Sequence, residues 1–120
     1  MIVEDSEIIS ERLECLLSQA NNIGIVFTTG NGVMALEFLK QNEADIVLLD
    51  IQINGLNGIE VLKEIKTSQP DIIVYVLTNY ATDSYKQAAL GYGANGFFDK
   101  SSEFEKAIDE IIFLSEAGRS

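Results

Sequence analysis

Histidine and tryptophan are absent from this 120-residue chain, and cysteine and proline occur once each. Without histidine there can be no Ser-His or Cys-His nucleophile pair, no His-rich zinc site, and no phosphohistidine donor within the chain. Its chemistry must run on carboxylates, hydroxyls and lysine. A single cysteine cannot close an internal disulfide, which points to a reducing cytoplasm. Cys15, set among Leu13, Leu16 and Leu17, reads as core or core edge. Basic residues are scarce as well, 8 Lys and Arg against 19 Asp and Glu for a net charge of −11. That balance argues against the domain gripping nucleic acid by itself, because phosphate contacts depend on Lys and Arg. No apolar run approaches the roughly 20 residues of a membrane span, and no signal-peptide pattern opens the chain.

What remains is an ordinary soluble composition, 47% hydrophobic and 22% charged, at a length suited to one domain with one core. Short β-branched apolar runs at 1–3, 23–27, 46–49, 72–77 and 96–98 alternate with helical periods near 6–20, 31–41, 57–67, 82–91 and 102–116. In the first helix Ile9, Leu13, Leu16, Leu17 and Ala20 share a face, with Glu7, Glu11 and Glu14 mostly opposite. The last carries Phe104, Ile108, Ile111 and Ile112, and Ser102 with Glu105 forms a capping box at its start. Pro70 falls between the third helix and the fourth strand, where it interrupts neither. Strands apolar on both faces, alternating with helices, predict a doubly wound parallel sheet covered on both sides. Residues 1–120 read as a single domain, with 116–120 a frayed end or the start of a linker. The first strand is short, and residues ahead of Met1 would ordinarily lengthen it.

Doubly wound sheets place their sites at the carboxyl ends of strands, where the winding switches direction. There the chain puts Glu4-Asp5 after the first strand, Asp50 after the third, Thr78-Asn79 after the fourth and Asp99-Lys100 after the fifth. Each has a plain reading of its own. Asp5 or Ser6 could be an N-cap, Asp50 a loop acid, Thr78 a polar strand end and Lys100 a solvated lysine. Their joint arrival on one rim favours a site.

The stretches "IVEDSE", "VLLDIQINGLNG", "VYVLTNYA" and "GANGFFDKS" resemble the receiver domain of two-component response regulators, in order and over essentially the whole chain. The resemblance implies a flavodoxin-like (βα)5 fold with strand order 2-1-3-4-5, which sets Glu4, Asp5 and Asp50 around one pocket. Two carboxylates about 4–5 Å apart repel by roughly 3–4 kcal/mol at an effective dielectric of about 20. A third makes full ionisation harder, so a pKa rises or a cation enters. An open, oxygen-rich site of this kind suits Mg²⁺ with retained waters. If the repulsion goes unrelieved without metal, Asp50→Asn stabilises the metal-free protein. By resemblance, Asp5, Asp50 and the Gln52 carbonyl are Mg²⁺ ligands, Mn²⁺ can substitute, and Glu4 acts through a water. Asp50 is then the phosphoacceptor, Lys100 neutralises phosphoryl oxygens, and Thr78 donates its hydroxyl to the attached group. Gly55 and Gly58 let the loop after Asp50 turn tightly.

The implied partner is a sensor histidine kinase or a histidine phosphotransfer protein. Thr78 and Phe97 would carry the switch to the face of the fourth helix, fifth strand and fifth helix, with phenylalanine acting by packing alone. Homodimers could use that face or the first and fifth helices, where Phe113 and Leu114 extend beyond the core stripe. Gln52 and Tyr80 flank the path of hydrolytic water and would tune the phosphoryl lifetime. Asn54 stands where relatives commonly have proline, which predicts a less rigid loop. Asn79 is larger than the usual residue there and would narrow phosphoryl access. Ser101, in place of another common proline, predicts a trans peptide after Lys100. The alternatives are a pseudo-receiver that binds partners without phosphorylation and a haloacid-dehalogenase-like phosphatase. Gln52 speaks against the phosphatase, since such enzymes need an acid two residues after the nucleophile. A flavodoxin-like FMN binder would find its phosphate repelled by Glu4-Asp5.

Overall fold

The computed structural model describes residues 1–25 and 27–117. Its elements alternate as β1 (Ile2–Val3), α1 (Glu7–Ser18), β2 (Thr28–Thr29), α2 (Gly32–Gln41), β3 (Ile46–Leu49), α3 (Gly58–Ser68), β4 (Ile73–Thr78), α4 (Asp83–Gly91), β5 (Gly96–Asp99) and α5 (Phe104–Ala117). The strands form one parallel sheet in the order β2-β1-β3-β4-β5, as the resemblance implies.

Side chains alternate across a strand, so consecutive residues feed opposite faces. Val3, Val47, Leu49, Val74 and Val76 pack with Ala35, Val61, Leu62 and Ile65 on the α2–α3 side. Their neighbours Ile2, Leu48, Tyr75, Leu77 and Phe98 pack with Leu13, Leu17, Ile108 and Ile111 on the α1–α5 side. Two dry layers hold the central strands rigid, and this rigidity aims whatever follows them. Each of α1, α2, α3 and α4 starts on a side-chain cap, from Ser6, Asn31, Asn57 and Thr82, which satisfies an otherwise orphaned first-turn N–H.

The structure departs from the sequence reading at several places. The second strand occupies Thr28–Thr29, not 23–27. Its partners on β1 are only Ile2 and Val3, so the ladder begins opposite them, and Phe27 contributes just its carbonyl to the Ile2 N–H. Ile23 and Ile25 are half-buried beneath the α1–α5 layer, while Val26 lies outside the described residues. The capping box is also replaced. Helix α5 begins at Phe104, past Ser102, and Asp99 Oδ1 accepts the N–H groups of Ser101 and Ser102 while Glu103 Oε1 accepts that of Asp99. Cys15 is exposed, not core. The buried stripe of α1 runs through Ser10, Leu13 and Leu17, and a residue two beyond Leu13 is turned to the far side of a helix. Helix α5 continues to Ala117, past Glu116 where a frayed end is expected to begin, and 118–120 lie outside the described residues. No peptide among the described residues is cis, including the one after Lys100. No helix of the described residues is long and apolar enough to cross a membrane.

Candidate functional site

The sheet delivers the predicted residues to one rim. Parallel pairing of Val3 with Leu49 puts the residues after β1 beside those after β3, and the Asp50 N–H bonds the Val3 carbonyl at 2.9 Å. Glu4 and Asp50 are both 5% exposed, whereas Asp5 faces solvent. One carboxylate oxygen from each of the three lies within 4.8 Å of the others. Ser6, not Asp5, caps α1 by accepting the Ile9 N–H at 3.4 Å, and the Ser6 N–H in turn holds Glu4 Oε2 at 3.0 Å.

Lys100 enters the same space from β5. Its Nζ donates to Glu4 Oε1 at 2.7 Å and to Asp50 Oδ2 at 2.9 Å, with only 7% of the side chain exposed. Burial of the ammonium pulls its pKa down, but hydrogen bonds and charge from Glu4 and Asp50 outweigh that and hold it above the ordinary lysine value. Burial pushes the Glu4 carboxyl above the usual carboxylate range, with Lys100 and the Ser6 N–H pulling back. One ammonium thus stands among three carboxylates, so the expected mutual repulsion is partly relieved before any metal arrives. Asp50 Oδ1 accepts the Gln52 N–H at 3.2 Å, which leaves this carboxylate held at both oxygens.

The loop beyond Asp50 is shaped by two glycines for different reasons. Gly55 takes φ of +87°, a conformation that residues bearing a Cβ rarely adopt. Gly58 starts α3 pressed on the strand end, and a Cβ there would strike the carbonyl oxygen of Asp50 and Cα of Ile51. Asn54 ties this loop by its main chain to the one that follows β2. Its N–H donates to the Gly30 carbonyl at 3.0 Å and its carbonyl accepts the Gly32 N–H at 2.8 Å.

These groups border a cleft of about 390 Å³ lined by Glu4, Asp5, Asp50, Gln52, Tyr80 and Lys100 together with Ser6, Ile9, Asn79 and Ser101. Tyr80 and Gln52 are exposed. Two of the predicted residues do not line it. Thr78 is fully buried and its Oγ1 accepts the Tyr80 N–H at 3.0 Å, while its carbonyl takes the Lys100 N–H at 2.8 Å. Phe97 is half-buried against the α2–α3 layer. Because Phe97 pairs with Val76 and Asp99 with Thr78, Phe97 and Thr78 share one face of the sheet, one step apart. A larger hollow of about 820 Å³ lies at the opposite, amino ends of the strands, walled by Ile2, Ile46, Ile73 and Ile111. It contains none of the converging groups.

Reading the sequence missed Gly30 and Asn31. A Cβ on Gly30 would come within 2.8 Å of Asp5 Cα, and Asn31 pairs with Asn54 as an isolated parallel bridge. The sequence signal is the run "TTGNG", β2 itself followed at once by Gly30-Asn31-Gly32. As for a cation, the donors are hard oxygens, they converge, and the exposed side of the cleft leaves room for water. That donor set fits Mg²⁺, which keeps several waters and accepts few protein carboxylates.

Comparison with known proteins gives a consistent picture. The family model described as the response regulator receiver domain matches residues 1–112. The chain is 31% identical over 118 residues to the transcriptional regulatory protein LnrK of Bacillus subtilis, covering 98% of this chain and 54% of that protein. It is 32% identical to the Fimbriae Z protein of Salmonella typhimurium, covering 95% and 54%. The chain therefore spans about half the length of these curated relatives. Its fold superposes on a LuxR-family DNA-binding response regulator from Staphylococcus aureus with a TM-score of 0.86, at 24% identity and 95% coverage of both chains.

Proposed function

Since this chain belongs to the response regulator receiver domain family of two-component systems, we propose that it is a phosphorylation switch whose phosphoacceptor is Asp50. The observation that carries this reading is the convergence of Asp50, Glu4, Asp5 and Lys100 in one cleft. Receiver domains pair with histidine kinases, and with no histidine of its own the chain would take its phosphoryl group from the phosphohistidine of a sensor kinase or a histidine phosphotransfer protein. An Asp50 oxygen forms the new bond to phosphorus as the bond to the donor imidazole nitrogen breaks, and the imidazole leaves with a proton from solvent.

Asp5, Asp50 and the Gln52 carbonyl would hold Mg²⁺, or Mn²⁺ in its place, with Glu4 reaching it through water. When bound, the ion offsets negative charge gathering on the phosphoryl oxygens. Lys100 already sits on Asp50 Oδ2, so the incoming group meets an ammonium at the reacting oxygen. To serve the phosphoryl group, that ammonium exchanges one carboxylate partner for a phosphoryl oxygen. The buried Thr78 hydroxyl accepts the Tyr80 N–H and retains its own proton for donation. Turning it towards the phosphoryl group would open space on the face it shares with Phe97, which then packs inward.

The readout would be the surface of α4, β5 and α5, or a homodimer through α1 and α5, where Ile8 and Phe113 are 79% and 67% exposed. Turnover is confined to the domain's own phosphorylation and dephosphorylation, with Gln52 and Tyr80 at the cleft mouth setting the lifetime. Residues 1–120 act as one receiver domain in a reducing cytoplasm, without direct contact to nucleic acid or membrane.

The test is intact mass and sedimentation after incubation with Mg²⁺ and acetyl phosphate. One phosphoryl adduct on the wild type, none on Asp50→Asn, and a changed association state support the switch. An adduct without any change in self-association or partner affinity would remove the switch, and no adduct would favour a phosphorylation-independent module. Continuous release of phosphate from an ester would favour a phosphatase.

A further inference from the structure

The peptide planes on the two sides of Lys100 are held by different means. The plane before it belongs to the sheet, where Asp99 pairs with Thr78 and the Lys100 N–H donates to the Thr78 carbonyl at 2.8 Å. The plane after it lies past this last pair of the ladder, so no neighbouring strand holds it. Its N–H, that of Ser101, donates instead to Asp99 Oδ1 at 2.8 Å, and the Ser102 N–H reaches the same oxygen at 3.3 Å. Asp99 is in turn tied to the start of α5. Its N–H donates to Glu103 Oε1 at 3.0 Å, and its carbonyl accepts the Glu103 N–H at 2.8 Å. Every amide from 99 to 102 therefore has a named acceptor.

A peptide unit is planar, so holding its N–H goes far towards fixing the whole plane. With both planes held, φ and ψ of Lys100 are set, and with them the direction of its Cα–Cβ bond. That direction matters because the side chain threads inward, only 7% exposed, to reach Glu4 Oε1 at 2.7 Å and Asp50 Oδ2 at 2.9 Å. A proline at 101 would restrict Lys100 sterically through its ring; the serine here leaves that task to a carboxylate. We propose that Asp99 is a positioning residue whose side-chain oxygen, anchored by Glu103, aims Lys100 at the reacting oxygen of Asp50. Resting on the function proposed above, the inference concerns how the ammonium meets the incoming phosphoryl group. The role belongs to the accepting oxygen and not to the charge, so an asparagine amide can fill it. Misplacing a group by about 1 Å can cost about 100-fold in rate, and Lys100 keeps its ladder bond when Asp99 is lost, which puts the expected effect nearer tenfold.

The experiment compares Asp99→Ala, Asp99→Asn, Glu103→Ala and Glu103→Gln with the wild type, all well below their melting temperatures. On metal-free protein the readouts are amide hydrogen exchange and NMR relaxation of the Lys100 methylenes. With the cation present they are Mg²⁺ affinity and the maximal rate of Asp50 phosphorylation by acetyl phosphate. Expected in Asp99→Ala are faster exchange at the Ser101 and Ser102 amides, a more mobile Lys100 side chain and phosphorylation slower by about tenfold. Mg²⁺ affinity should not fall, because the carboxylates stay in place. Asp99→Asn and Glu103→Gln, which keep the accepting oxygens, should match the wild type. Glu103→Ala loosens Asp99 from its other end and should move the same readouts in the same direction, so the comparison stands if Asp99→Ala does not fold. An unchanged Lys100 side chain or an unchanged rate in the alanine variants would overturn the proposal. So would an Asp99→Asn that behaves like Asp99→Ala, since charge would then be the cause. A wild type that acquires no phosphoryl group would instead overturn the functional reading, and exchange and relaxation on the metal-free proteins would still decide whether Asp99 aims Lys100.

Discussion

Replacing Lys100 by methionine removes the one ammonium that Glu4 and Asp50 share while keeping most of the side chain's bulk. At an effective dielectric of about 20, contacts of 2.7 and 2.9 Å correspond to gross attractions of about 6 kcal/mol each. The carboxylate oxygens, within 4.8 Å of one another, repel by at least about 3 kcal/mol per pair on the same scale, less for the exposed Asp5. The two sets nearly cancel in the native protein, so its net benefit is small. Stripping the cation leaves the repulsion alone, and loss of one partner from a buried ion pair typically costs about 3–5 kcal/mol. In a domain of this length that is a fall in Tm of about 10–20 °C for metal-free protein at pH 7. The pH dependence has a definite sign. In the variant, Glu4 keeps the burial that raises its carboxyl above the usual range and loses the Lys100 ammonium that pulls it back, so its ionisation disfavours the fold and protonation relieves it. The deficit relative to wild type should therefore narrow as pH falls from 7 towards the ordinary Glu value of 4.5. Asp50→Asn should lie within about 1 kcal/mol of the wild type, because it loses one attraction and two repulsions of comparable size. Combining it with Lys100→Met should recover part of the loss. Thermal melts of the four proteins across pH complete the cycle. A Lys100→Met that melts with the wild type at pH 7, or a deficit that widens on acidification, would refute the charge balance described here.

Gly58→Ala drives a Cβ into the Asp50 carbonyl and Ile51 Cα, so urea unfolding should show a loss of about 1–3 kcal/mol; an unchanged midpoint would mean that α3 shifts freely. Tyr80→Ala opens the mouth of the cleft and should shorten the half-life of the Asp50 adduct several-fold in a dilution assay, and an unchanged half-life would remove Tyr80 from rate control. Phe97→Ala should leave adduct formation intact while abolishing the phosphorylation-dependent change in association. A variant that still responds would place the readout elsewhere.

The site was legible because each of its groups follows a strand, and strand ends converge in any doubly wound sheet. Glu4, Asp5, Asp50 and Lys100 therefore meet as expected. Register decided what was not legible. Ile23 and Ile25 have strand-like patterning, but the ladder beside β1 starts at Thr28 because β1 begins pairing at Ile2. Cys15 sits among leucines in the sequence, yet helical phase turns it outward, away from Leu13 and Leu17. Thr78 does reach the rim, but period-two alternation buries its side chain on the Phe97 face instead of exposing it in the cleft. Backbone partnerships leave the least trace of all. A residue type says little about where its N–H goes, so Asn54 reads as a missing proline and the bond to Gly30 goes unseen.

The central claim, that Asp50 itself carries the phosphoryl group, is tested most directly by trapping the acyl phosphate. Protein incubated with Mg²⁺ and acetyl phosphate is treated with borohydride, which reduces an acyl phosphate to an alcohol, and the modified residue is located by tandem mass spectrometry. The prediction is one reduced site, at Asp50, that disappears when Mg²⁺ is chelated. Reduction at Glu4 or Asp5, or at no residue under conditions where the protein is folded and binds Mg²⁺, would contradict it.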